Sequence, residues 1–251
     1  MKIFSSELGY NYGTYTFGYT TYCQKEPNDQ LGHIYEKGFL PYTGSSNAQD
    51  IFYMARNIRI QLEGWAQNSE NRRVYSKFAD LSSHTLPIEG FDTNDPQFRQ
   101  FCLNYFAQRH GERVMPKERL DFILSSGLIT HIVEYKKQDE LVGYVFLIED
   151  EHINHYIFSF YDLSHLYQSL GLWLMIDCVI SAQKRGKLYS YLGTSYGEKG
   201  LYKTNFDQLE FWDGHGWVAD RDALRQRCRT DNERIVQLTD QWKDSLEQRF
   251  Q

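Results

Sequence analysis

Residues 129–193 read ITHIVEYKKQDELVGYVFLIEDEHINHYIFSFYDLSHLYQSLGLWLMIDCVISAQKRGKLYSYLG. Residues 129–136, 141–148 and 153–161 are runs rich in β-branched and aromatic side chains, each long enough for one strand. The polar tetrapeptide KQDE between the first two is short enough to fold them back on each other. Residues 169–184 are apolar on nearly every side, the pattern of a buried helix, and Gly186 stops it. LYSYLG at 188–193 is again a strand.

Upstream, Asp95 is placed to cap a helix that has Pro96 at its first position, with Phe98, Cys102, Tyr105 and Phe106 at helical spacing. A second helix starts near Pro116, turns Leu120, Ile123 and Leu124 inward and stops at Gly127. Downstream come a helical turn over 197–204 and a hairpin-like segment over 208–218. Two helices, three antiparallel strands, a helix, a strand, a short helix and a strand form the order of the GNAT acyltransferases. The expected fold class is therefore α+β, a GNAT (acyl-CoA N-acyltransferase-like) mixed sheet flanked by helices, over residues 81–220.

Residues 1–80 are expected to form a divergent N-terminal subdomain. Its first 30 residues are rich in Gly, Tyr and Thr and read as loops with one short strand; 31–40 and 51–62 read as strands, and 63–80 as a short helix start. The segment 81–96 reads as a linker by composition. After Trp217 a charged helical extension, 221–251, carries a broken apolar stripe of Leu224, Cys228, Ile235, Leu238, Trp242 and Leu246. Its arginines at 221, 225, 227, 229 and 234 are interleaved with Asp222, Asp231 and Glu233, which suits packing on the domain or on a second subunit as a homodimer.

A net charge of -6 argues against a generic polyanion binder, since phosphate neutralisation supplies most non-specific nucleic-acid affinity. Four isolated cysteines, at 23, 102, 178 and 228, form no CxxC and fit a reducing cytoplasm. No apolar run reaches the ~18 residues that a membrane span needs, and the first residues lack the apolar core of a signal peptide. The histidines at 131, 152, 155 and 165 have no metal-ligand spacing, and no metal is assigned.

Acetyl-CoA enzymes of this fold share Q/R-x-x-G-x-G/A ahead of the long helix, where backbone N–H groups hold a pyrophosphate. Here Gln168 and Gly171 are followed by Trp173. A bulky indole in place of the last small residue is expected to crowd the phosphate path and disfavour CoA.

The run from Ser159 to Trp217 resembles the arginyl-tRNA–protein transferases and the bacterial aspartate/glutamate leucyltransferases, in order and spacing, over about 60 residues. The matching positions are Phe160, Tyr161, Asp162, Ser169, Leu170, Gly171, Tyr189, Tyr191, Leu192, Gly193, Tyr202, Lys203, Asn205, Phe206, Leu209, Glu210, Gly216 and Trp217. A weaker echo lies in YEKGF at 35–39 and in residues 55–78, with Ser69, Arg72 and Arg73 as S-x-x-R-R. The family's cysteine-rich turn is GSSNAQD here, and only Cys23 stands near a family cysteine, so no cluster or other cofactor is expected.

The resemblance implies a donor, aminoacyl-tRNA, and an acceptor amine on a protein, peptide or small molecule, with no membrane partner. Aminolysis of the ester needs alignment, a deprotonated amine and a stabilised oxyanion, but no metal. Asp162, Tyr191 and Lys203 are the implied catalytic residues. Asp162 would hold an α-ammonium, Tyr191 would donate to the oxyanion or the leaving 3′-oxygen, and Lys203 would meet tRNA phosphates or an acidic acceptor. Tyr161, Gln168, Ser169, Gly171, Gly193, Tyr202, Asn205 and Glu210 are the implied substrate-binding set. Arg56, Arg59, Arg72, Arg73 and Lys77 make the most basic stretch, fitted to tRNA phosphates or to an acidic acceptor. Two other readings share the fold: an acyl-CoA-dependent N-acyltransferase, and a degenerate module that binds without turnover.

Overall fold

The computed structural model describes residues 1–13, 16–44, 48–163 and 169–231. In chain order the elements are β1 (Lys2–Asn11), β2 (Thr16–Gln24), α1 (Leu31–Glu36), β3 (Phe39–Pro41), β4 (Ile51–Met54), β5 (Asn57–Gln61), α2 (Ser69–Ser76) and β6 (Leu81–Pro87). Then follow α3 (Pro96–His110), α4 (Lys117–Ser125), β7 (His131–Lys137), β8 (Glu140–Glu149), β9 (Ile153–Tyr161), α5 (Leu170–Lys184) and β10 (Tyr189–Thr194). A 3-10 segment (Glu198–Asn205), β11 (Leu209–Trp212) and β12 (Trp217–Val218) precede a last helix, α6, over 221–231.

Eight strands form one sheet in the order β12-β11-β5-β10-β9-β8-β7-β6, and four form a second, β1-β2-β4-β3. β7, β8 and β9 make an antiparallel meander, and β10 returns parallel to β9 after α5. That mixed sheet flanked by helices is the GNAT arrangement. The alternation along β7 and β8 explains the layering: Val133, Tyr135, Val145 and Leu147 face α5 and α2, while Ile132, Tyr144, Phe146 and Ile148 face α3 and α4. α5 carries residues for both the helix layer and the sheet, with Trp173, Leu174, Met175, Ile176, Cys178 and Val179 all buried. Asp95 caps α3 through Gln97 N–H at 2.8 Å, with Pro96 at its first turn, as the sequence predicts.

Four expectations change. Residues 31–40 hold α1 and then β3: Leu31, Ile34 and Tyr35 recur at helical spacing, and Gly38 at φ +80° ends the helix. Residues 51–62 are two strands in different sheets, β4 and β5, parted at Ala55–Arg56. The first 30 residues contain two long strands, unreadable as such because β1 largely faces solvent (Ile3 and Phe4 are exposed), β2 fully buries only Cys23 among its described residues, and neither carries an apolar alternation. The segment 81–87, expected as linker, is the edge strand β6, whose Ser82, Ser83 and His84 suit an edge. The expected boundary at 80/81 also fails to separate the sheets, because β5 lies between β10 and β11. α6 packs on the chain itself: Leu224 and Cys228 are in the core, and Arg56 grips Asp231 with bonds of 2.7 and 3.0 Å. The stripe beyond residue 231 lies outside the described residues.

Candidate active site

β10 pairs with β9 only from Tyr189↔Ile153 to Tyr191↔His155, then follows β5 to Thr194↔Asn57. At the same level β9 carries an extra residue: Phe158 faces Phe146 and Tyr156 faces Leu147, so Ile157 is bulged. The two parallel strands therefore part, and a cleft of about 1010 Å³ opens between them. Its floor is His155–Ser159 and Leu192–Thr194; its walls are the end of α3, the start of α5 and the 3-10 segment.

Asp162, Tyr161, Ser169, Gly171, Gly193, Tyr202 and Lys203 line this cleft. Gln168 lies outside the described residues. Tyr191 does not line it. The phenol is buried edge-on to Tyr35 and Trp217, and its hydroxyl meets Arg59 at 3.3 Å. Tyr191 is the last residue of β10 still paired with β9, whereas Leu192, Gly193 and Thr194 follow where the two strands have parted. Glu210 binds Arg59 at 2.7 Å, and Asn205 ties α2 to α6 through Asn68 and Arg225.

The basic stretch is dispersed. Arg56 is bound to Asp231, Arg59 lies between the rings of Tyr189 and Trp217, and Arg73 pairs with Glu70 on the solvent side of α2. Arg72 donates to the carbonyl of Gln67, and Lys77 sits exposed at the helix end. None of the five lines the cleft. Lys203 is joined in the cleft lining by three cations that the sequence does not single out, Arg109, Arg119 and Lys199, with Asp162 as the one carboxylate among the described lining residues. No local signal marks those three, because they are scattered along α3, α4 and the 3-10 segment. Their field is visible at His110, whose imidazole is pushed down by burial and then by Arg109 and Lys199.

Trp173 corrects the argument drawn from the phosphate turn. Its ring stacks on Tyr75 (5.6 Å, 16°), touches Phe78 and Tyr135, and donates its N–H to the Tyr75 carbonyl at 3.1 Å. It is a core side chain joining α5 to α2, turned away from any ligand path. Tyr161 occupies the place that matters: a Cβ added at Gly171 would lie 2.9 Å from the Tyr161 hydroxyl. The phenol thus covers the first turn of α5, where an acetyl-CoA enzyme leaves backbone N–H groups open.

Lys203 donates to the carbonyls of Leu192 and Thr194, both at 2.9 Å, and so braces the turn at Gly193, which has φ +75°. Burial brings its ammonium down to about 8. His155, on β9, is buried, and its Nδ1 lies 2.8 Å from the hydroxyl of Tyr35 on α1. Burial, with the Lys203 charge behind it, holds that imidazole down to about 3, so it is neutral at physiological pH.

Comparison with known proteins agrees with this layout. Residues 97–213 match the family model described as arginine-tRNA-protein transferase, C terminus. The aspartate/glutamate leucyltransferase of Parvibaculum lavamentivorans is 27% identical over 171 residues, spanning 65% of this chain and 69% of that protein. The enzyme of that name from Stenotrophomonas maltophilia is 26% identical over 213 residues, 76% of this chain and 82% of its own. Among solved structures, the C-terminal domain of a putative lysylphosphatidylglycerol synthetase from Agrobacterium fabrum aligns with TM-score 0.45 and 13% identity, over 70% of this chain and 55% of that one. Motif order, sheet topology and the family match converge on one stretch: residues 97–213 are similar to the C-terminal domain of the arginine-tRNA-protein transferases.

Proposed function

We propose that the protein moves an amino acid from aminoacyl-tRNA to an amine acceptor by aminolysis of the ribose ester. The observation that carries this reading is the charge of the cleft. A chain of net charge -6 concentrates four cations against one carboxylate, among the described residues, at the parted strands, as a phosphate-bearing donor end requires. Arg109 and Lys199 stand at the mouth side for RNA phosphates, and Lys203 stands at the floor.

In the reaction the acceptor nitrogen adds to the ester carbonyl carbon, and the carbonyl electron pair moves onto oxygen. Collapse of the tetrahedral species breaks the bond to the ribose oxygen, which leaves with the proton that the nitrogen gives up. An α-amine with pKa near ~8 needs little base assistance, so positioning and charge stabilisation carry most of the rate. Asp162, at the end of β9, is the group assigned to hold an α-ammonium in place, and Tyr161 and Tyr202 wall the reacting ends.

The finer reading is a leucyl rather than an arginyl donor. The names of the relatives support it, as do the apolar cleft residues Leu40, Phe106, Ile157 and Phe158 beside Asp162, the single carboxylate among the described lining residues. Offering leucyl- and arginyl-tRNA in competition to the wild-type protein with acidic-ended peptides tests it. Preferential leucine incorporation is expected, and arginine incorporation alone would reverse the donor assignment. The acyl-CoA reading has less support, because Tyr161 covers the helix start that a pyrophosphate would use.

A further inference from the structure

We propose that His155 Nε2–H, set in that tautomer by Tyr35, donates to the oxyanion of the transfer reaction in the space beside Gly193, with Lys203 as the second donor. The inference rests on the aminoacyl-transfer reading and adds a residue and a mechanism to it.

The geometry begins with the glycine. A Cβ added at Gly193 would lie 3.8 Å from His155 Nε2 and 3.8 Å from Lys203 Nζ. The side chain that Gly193 lacks thus leaves a small space on the cleft floor, bordered by two nitrogen atoms. Lys203 spends two of its three N–H groups on the Leu192 and Thr194 carbonyls, which leaves one for a ligand. A larger residue at 193 would fill the space, and φ +75° there already favours glycine.

The tautomer follows from Tyr35. Its side chain is fully buried, and its hydroxyl meets only His155 Nδ1 among the described residues. If Nδ1 carried the proton, the phenol would accept and its own hydrogen would be left buried without an acceptor. The phenol therefore donates, Nδ1 accepts, and the imidazole proton sits on Nε2, facing the cleft. A neutral donor suits the task. It polarises the carbonyl without adding a second fixed cation beside Lys203, and it does not titrate across the working pH range. The ester carbonyl oxygen gains its charge when the amine nitrogen adds, and loses it when the carbon–ribose oxygen bond breaks. His155 gives no proton away in either step.

The test has two arms on the full chain. In protein labelled with ¹⁵N-histidine, His155 is expected to show protonated Nε2, unprotonated Nδ1 and no titration from pH 5 to 9; Tyr35→Phe is expected to disturb that pattern. Protonated Nδ1, or titration near the ordinary histidine value, would overturn the proposal whether or not the protein is active. In transfer assays with charged tRNA, His155→Phe is expected to lower kcat about 100-fold with KM nearly unchanged. His155→Gln, which returns an N–H near the Nε2 position, should recover most of the loss. Equal rates in folded His155→Phe and wild type would remove His155 while leaving the transferase reading intact. Absence of transfer by the wild type itself would remove both.

Discussion

Replacing Trp173 with alanine separates two accounts of the chain, because a steric gate and a core residue respond in opposite ways. If the indole blocked a phosphate path, its removal would open the cleft and leave the fold alone. The structure places it instead between Tyr75, Phe78 and Tyr135, 2% exposed, with its N–H on the Tyr75 carbonyl. Deleting a buried aromatic of this kind costs about 3–5 kcal/mol. The lost hydrogen bond contributes roughly 0.5–1.5 kcal/mol of that cost. For a chain of this length each kcal/mol lowers Tm by roughly 2–4 °C, so a fall of roughly 6–20 °C is expected. Urea unfolding followed by tryptophan fluorescence and circular dichroism measures the loss, and acetyl-CoA titration of the folded variant measures any new ligand. A variant as stable as the wild type that had acquired CoA binding would refute the placement of Trp173 in the core.

Gly193→Ala introduces a methyl group between His155 and Lys203 at a backbone of φ +75°. It should cost about 1 kcal/mol of stability yet lower kcat at least about 10-fold, and an unchanged kcat would mean that no reacting atom uses that space. Arg109→Ala and Lys199→Ala should each weaken aminoacyl-tRNA binding and flatten its log–log salt dependence by about 1. Arg72→Ala and Lys77→Ala, on the exposed face of α2, should do neither, and the reverse ranking would relocate the RNA. Lys203 titrates near about 8 in the fold against 10.5 unfolded. The unfolded chain therefore binds the extra proton between those values, and the Lys203 contribution to stability rises with pH from about 8 to about 10.5. Lys203→Met should abolish that pH-dependent gain while lowering transfer. A difference in stability between the two proteins that does not vary with pH would mean that Lys203 keeps its ordinary pKa.

The second half of the fold was legible because its sequence obeys one rule at a time. The apolar runs of β7, β8 and β9, the all-round apolar α5, and Asp95–Pro96 each carry a signal confined to a few neighbours. The first half was not, for reasons of partnership. β1 is mostly exposed and β2 mostly half-buried, so no fully buried face imprints an alternation on them. The single run 51–62 serves two sheets, and β6 reads as linker because an edge strand tolerates Ser, Ser and His. At the cleft the motif residues Asp162, Gly171, Gly193 and Lys203 come together, while Tyr191, still inside the β10–β9 ladder, packs against Tyr35, Trp217 and Arg59. Arg109, Arg119 and Lys199 converge only through packing of distant elements, which no local pattern encodes. In the sequence His155 is only one of four histidines without a metal-ligand spacing, and its partner Tyr35 lies 120 residues away.

The account turns on one event, the movement of an amino acid from tRNA to an amine at the parted strands. Mass spectrometry of a peptide with an acidic first residue, incubated with the wild-type protein and tRNA charged with an isotope-labelled amino acid, reads it directly. The account predicts a peptide heavier by one labelled residue, joined at the α-amine, with the product lost after ribonuclease treatment of the donor. An unmodified peptide with every charged tRNA, alongside acetylation of the same peptide from acetyl-CoA, would contradict it.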